Sequence, residues 1–133
     1  DFSAILQLLY AGDAAERAVA AYALGRPESS RASGAGYQAP HLAALLDDPY
    51  SALRLVAYRA LRVQPGFADF AYDFLAPPEL RRDSVSRALE IARQHAPHSA
   101  EGRLLLSPDG TPEPSTIAEL RAARDDRPIT IAE

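Results

Sequence analysis

Four side chains stand out for the chemistry they could do: Tyr50, Arg54, Tyr58 and Arg62, each four residues from the next. On a helix this spacing lines them up in one continuous stripe. Guanidinium groups interleaved with phenol rings suit recognition of an anionic or peptide ligand, through charge-assisted hydrogen bonds and cation–π contact. The competing reading is that the stems and rings of these amphipathic side chains cover the edge of a core and meet no ligand. A second set, His95, His98 and Glu101, has metal-ligating types. Pro97 between the histidines prevents a clean helical i, i+3 geometry and no fourth ligand is evident, so the pair reads as loop histidines. Gly34-Ala35-Gly36 resembles a phosphate loop only superficially, having no strand before it and no lysine. The carboxylates of Asp47-Asp48 and Asp125-Asp126 are adjacent in sequence and diverge, as a helix cap and a solvated end would have them. No nucleophile-elbow pattern joins the serines and histidines. No catalytic, metal or cofactor constellation stands out.

Composition narrows the classes further. A chain of 133 residues suits one domain. With no cysteine there are no disulfides, thiolate metal sites or thiol nucleophiles in this segment. All 14 basic residues are arginine, yet the net charge is −4, the wrong sign for a general nucleic-acid binder. No apolar run approaches the roughly 18 residues that a membrane span requires. The chain starts at Asp1 and has no Met, which suggests a piece of something longer and leaves the compartment unassigned.

The elements that must position these side chains are helices in an internal repeat. Shifting the chain by 37 positions aligns Leu8 with Leu45, Leu9 with Leu46, Ala15 with Ala52, Arg17 with Arg54, Val19 with Val56, Ala20 with Ala57, Ala23 with Ala60 and Leu24 with Leu61. A third, weaker copy places Pro77 under Pro49, Arg82 under Arg54, Arg87 under Arg59, Ala88 under Ala60 and Leu89 under Leu61. Each copy reads as helix, tight turn, helix. In the first, Gly12-Asp13 supplies turn and N-cap, and Gly25 with Pro27 the stop. In the second, Leu42, Leu45 and Leu46 form an apolar stripe, Asp48-Pro49 breaks the helix, Pro49 opens the next one, and Gly66 marks its end. The third has a short aromatic helix around Phe67, Phe70, Tyr72 and Phe74, then a helix from about Glu79 to Gln94. Leu9, Val19, Leu24, Leu45, Leu46, Val56, Leu61 and Leu89 are expected to be buried, and Arg26 to Ala39 to form a surface loop. The tail offers one helix, about Glu113 to Arg124, between the apolar stretches Leu104–Leu106 and Ile129–Ile131. It is expected to dock back on the repeats and cover the apolar side of the last hairpin.

The run Pro40-x-Leu42-x-x-Leu45-Leu46-x-Asp48-Pro49-x-x-x-Leu53-Arg54-x-x-Ala57-x-x-Ala60-Leu61 resembles a HEAT-like repeat, of the short bacterial variety also seen in phycobilin lyases. The resemblance covers residues 1–95 and implies an all-α fold: a short α-solenoid of three HEAT-like hairpins, with a C-terminal extension over 96–133. It also implies a polar ladder between neighbouring repeats, built from an Asp in the hairpin turn and an Arg six residues later, here Asp48 and Arg54. Arg17 and Arg82 keep the arginine, while Ala11 and Ala76 stand at the Asp position, so the ladder is incomplete. The second helix of such a hairpin faces the concave side, which makes Tyr50, Arg54, Tyr58 and Arg62 the candidate binding face. The implied function is a non-enzymatic interaction or scaffolding module for a protein partner or another domain of the same chain. Two rivals are a lyase-type or nucleic-acid-modifying enzyme on the same scaffold, and a structural cap of a longer solenoid.

Overall fold

Asp13 begins the first long helix as its place after Gly12 suggests. Its side chain accepts from the Glu16 backbone N–H at 2.9 Å while the Glu16 carboxylate accepts from the Asp13 N–H at 2.8 Å, a reciprocal cap. The computed structural model describes residues 2–33, 36–96, 114–124 and 126. Over these the chain is helical, with no strand among the described residues: α1 (Phe2–Ala11), α2 (Ala14–Leu24), α3 (Pro27–Ser33), α4 (Ala39–Ala44), a 3-10 turn (Leu45–Asp47), α5 (Ser51–Arg62), α6 (Pro78–Gln94) and α7 (Pro114–Ala122). None of these helices is long and apolar enough to cross a membrane.

The helices pack in pairs, α1 against α2 and α4 against α5, and α2 lies alongside α5. Small residues make that seam tight. Ala20, Ala21, Ala57 and Ala60 are buried along it, and at Gly25, the C-cap of α2, an added Cβ would sit 2.7 Å from the Ala60 Cβ and 2.8 Å from its Cα. Backbone cannot yield as a side-chain tip can, so Gly25→Ala is expected to force the two helices apart. Overpacking of this kind costs about 1–3 kcal/mol, and the shift in urea midpoint measures it. An unchanged midpoint would mean that α2 and α5 do not meet at Gly25.

Several expectations need correction. Val19 is 65% exposed, because α2 buries Arg17, Ala20, Ala21 and Leu24, a stripe rotated off Val19. Val56 and Leu89 are half-buried against the core, and Leu9, Leu24, Leu45, Leu46 and Leu61 are fully inside. The segment after Arg26 is not a surface loop. Pro27, well suited to a first helical position, opens α3, and Tyr37, Gln38 and Pro40 are buried. Residue α5 starts from is Ser51, two positions beyond Pro49. Gly66 adopts a φ of +86° in the turns after α5, and the helix itself ends at Arg62.

The aromatic helix of the third copy does not form; residues 67–76 run through turns. Phe67 and Phe70 are buried even so, with ring centroids 5.5 Å apart in an edge-to-face pair. The helix α6 lies chiefly against α4 and the 3-10 turn. In the tail, α7 packs against α1, where Ile117 is buried and Leu120 lies against the core. The described part of the tail thus docks back on the helices, at α1. Leu104–Leu106 and Ile129–Ile131 fall outside the described residues.

Candidate functional site

Arg17, Arg54 and Arg81 each occupy the fourth residue of their helix, α2, α5 and α6. In each the Nη1 donates to the carbonyl five residues back: Gly12 at 3.0 Å, Pro49 at 3.1 Å and Ala76 at 2.9 Å. The guanidinium thereby satisfies a carbonyl in the turn that precedes its own helix. Each also reaches a neighbouring segment. Arg17 Nε donates to Asp48 Oδ2 at 3.1 Å, and its Nη2 lies 3.3 Å from Oδ1. Arg54 Nε donates to the Phe74 carbonyl at 2.7 Å, and Arg81 Nε to Asp47 Oδ1 at 3.0 Å. The third arginine of the series is therefore Arg81 and not the adjacent Arg82, which is exposed. Arg54 meets Asp48 only at its backbone carbonyl, at 2.7 Å. The two adjacent carboxylates do diverge, Asp47 to Arg81 and Asp48 to Arg17.

Arg17 and Asp48 are buried. Asp48 Oδ1 also accepts from the Tyr50 N–H at 3.0 Å, holding the turn that leads into α5. The tail joins this centre: Arg17 Nη2 lies 3.2 Å from Asp126 Oδ1, and Arg124 Nε lies 2.9 Å from the same oxygen. Two cations and two carboxylates thus link α2, the second turn and the tail. Every one of these contacts joins parts of the same chain.

The stripe Tyr50, Arg54, Tyr58 and Arg62 also meets the chain itself. Arg54 donates to Phe74, the Tyr58 hydroxyl to the Phe70 carbonyl at 2.8 Å, and Arg62 Nη2 to the Ala68 carbonyl at 2.8 Å. Tyr50 donates to the Asp126 carbonyl. Successive turns of α5 thus hold successive carbonyls of an irregular strip running the opposite way. These bonds supply the partners that a helix at 67–76 would have found internally, which accounts for the missing helix. Arg54 is buried, Tyr50 and Tyr58 are half-buried, and Arg62 is exposed with its guanidinium 5.8 Å from the Tyr58 ring.

The sequence reading missed a more open face on the neighbouring helix pair. Val19 and Tyr22 on α2 are 65% and 60% exposed, and Val63 at the end of α5 is 67% exposed. Tyr22, Arg26, Val56, Arg59 and Val63 line a groove of about 400 Å³ between the two helices. Arg59 and Val63 also line a shallower depression with Tyr58 and Arg62, so the two surfaces are continuous. The signal was in the repeat. The 37-residue shift that aligns the buried stripes also aligns Val19 with Val56, Tyr22 with Arg59 and Arg26 with Val63.

Among the described residues no three His, Cys, Asp or Glu side chains group to hold a metal. His95 Nδ1 lies 2.9 Å from the Ile91 carbonyl, while His98 and Glu101 are outside the described residues, as are Gly34 and Ala35. His41 is buried, with its Nδ1 2.8 Å from the Tyr10 hydroxyl. Burial pushes the Tyr10 phenol well above its ordinary range, against a smaller opposing pull from Arg121. Burial likewise pushes Tyr72, whose hydroxyl donates to the Leu46 carbonyl, up to about 12.

Both shifts are upward, so the folded state keeps protons that the unfolded chain loses. Stability should hold below the ordinary phenol value of 10.0 and fall as pH rises above it. For Tyr10 the expected slope approaches about 1.4 kcal/mol per pH unit. Urea midpoints taken from about pH 8 to about pH 11.5 measure the decline, and Tyr10→Phe should flatten it whatever its baseline stability. A flat profile in the unsubstituted chain would contradict the buried hydroxyls.

No family model, curated protein or solved structure matches the chain.

Proposed function

We propose that this chain is a non-enzymatic protein-interaction module on a short HEAT-like helical-repeat scaffold of three units. Its partner is an amphipathic helix with apolar anchors and acidic flanks, docked on the α2–α5 face. The observation that carries the reading is the pair of adjoining helices with Tyr22 and Val63 each more than half exposed around a groove, and Val19 exposed on the same helix as Tyr22. Large apolar side chains gathered in this way on a polar surface favour association. A groove between two parallel stripes suits a helix presenting anchors at i, i+4 and i+7.

Charge selects the partner further. The helix α5 carries Arg54, Arg59 and Arg62 with no acidic residue, in a chain whose net charge is −4. Arg59 and Arg62 border the groove and would meet acidic flanking residues, adding specificity and association rate more than affinity. Of the stripe first considered, Tyr58 and Arg62 extend this face, whereas Arg54 and Tyr50 hold the chain together. The recurring Arg17, Arg54 and Arg81 geometry supports the three-unit repeat.

A synthetic amphipathic peptide with leucines at i, i+4 and i+7 and flanking glutamates is a suitable probe. Titrated into the isotopically labelled protein, it should move the amide resonances of Val19, Tyr22, Val56 and Val63 first. Perturbations confined to other helices, or none at all at saturating peptide, would refute the docking face.

A further inference from the structure

A second concavity lies away from the α2–α5 face, between the 3-10 turn, α6 and α7. It measures about 780 Å³, within the range of small-molecule sites. Val85 and Leu89 of α6 and Ile117 of α7 give it apolar walls, and Arg82, Arg121 and Arg124 also line it. Asp47 and Asp48 reach the same wall but are engaged from behind, by Arg81 at 3.0 Å and Arg17 at 3.1 Å. Arg124 is engaged with Asp126. Arg82 and Arg121 are left without a carboxylate partner among the described residues. The Arg121 guanidinium is nonetheless placed, 5.8 Å from the Tyr10 ring.

We infer that this cleft binds a small organic monocarboxylate, its headgroup held by Arg82 and Arg121 and its apolar body against Val85, Leu89 and Ile117. Each guanidinium can offer a carboxylate two parallel N–H donors, the geometry in which arginine binds that group best, and a second guanidinium adds to its charge. A single negative charge fits because a dianion would also face Asp47 and Asp48. The apolar walls favour an aliphatic or aromatic body over a sugar or a nucleotide, whose hydroxyls would find few partners there. The inference does not depend on the α2–α5 reading, since no residue is shared between the two surfaces.

Calorimetric titration with octanoate tests it, with 1-octanol as the uncharged analogue. One octanoate per chain should bind, and 1-octanol should bind at least about tenfold more weakly, the equivalent of one charge-assisted contact. R82Q combined with R121Q should weaken octanoate by a similar factor or more while the chain keeps its fold, both side chains being exposed. R93Q, on α6 but outside the cleft, should leave the affinity as it is. A118W, placed at the cleft wall, should also weaken binding, and it decides the matter if the double variant does not fold. Non-saturable binding, equal binding of the alcohol, or an unchanged affinity in R82Q/R121Q or A118W would each overturn the assignment.

Discussion

Asp48→Ala is expected to lower the unfolding free energy by about 3–5 kcal/mol, the range for removing one partner of a buried ion pair. Arg17 is fully buried and loses the buried one of its two carboxylate partners. A mere helix cap would be worth about 1 kcal/mol, so the size of the loss separates the two roles. Other partners of Arg17, among them the Gly12 carbonyl at 3.0 Å and Asp126 at 3.2 Å, moderate the effect without replacing the bidentate contact. Asp48→Asn keeps an acceptor for the Tyr50 N–H and removes only the charge, so it should retain the turn yet lose most of the same stability. Urea denaturation of both variants measures this. A loss near 1 kcal/mol in each would mean that Arg17 is neutralised by the tail.

Phe67→Ala is expected to cost about 3–5 kcal/mol, as for other buried phenylalanines. Phe67 is 0% exposed although it lies in a segment of turns, and it anchors the strip whose carbonyls α5 holds. Its loss should also speed hydrogen exchange at the Phe70 amide, which donates to the Phe67 carbonyl at 3.1 Å. Arg62→Ala, by contrast, removes one exposed contact and should barely move the global midpoint. A shift below about 1 kcal/mol for Phe67→Ala would show that residues 67–76 are an appendage and not part of the core.

The pattern of what was legible in the sequence follows from which forces act locally. Leu42, Leu45, Leu46 and Asp48-Pro49 carry the second repeat in their own spacing, and the structure has helix, tight turn and helix there. The Asp13 cap is equally local. The arginine of the third copy becomes readable only once the structure has placed the helix starts. Identities at Arg87, Ala88 and Leu89 favour Arg82, whereas counting four residues from each observed N-cap, Asp13, Tyr50 and Pro77, selects Arg17, Arg54 and Arg81. Phe67, Phe70 and Phe74 do have helical spacing. Their segment is not a helix because side chains of α5 take its carbonyls, a tertiary competition that no local pattern reveals. Val19 was misplaced for a related reason. In an alanine-rich helix the apolar arc is broad, and packing on α1 and α5 with the buried Arg17–Asp48 pair decides which edge faces inward.

The affinity of the acidic amphipathic peptide for Val63→Glu, set beside Leu80→Glu, tests the proposed face most directly. Both residues are exposed apolar side chains, 67% and 58%, so both substitutions should leave the fold and its melting temperature intact. Val63 lies on the α2–α5 groove and Leu80 on α6, away from it. Val63→Glu replaces an anchor contact with a charge that repels the peptide's glutamates. The account predicts at least about a tenfold loss of affinity, about 1.4 kcal/mol, for Val63→Glu and none for Leu80→Glu. Equal affinities in the two variants, or a loss confined to Leu80→Glu, would contradict it.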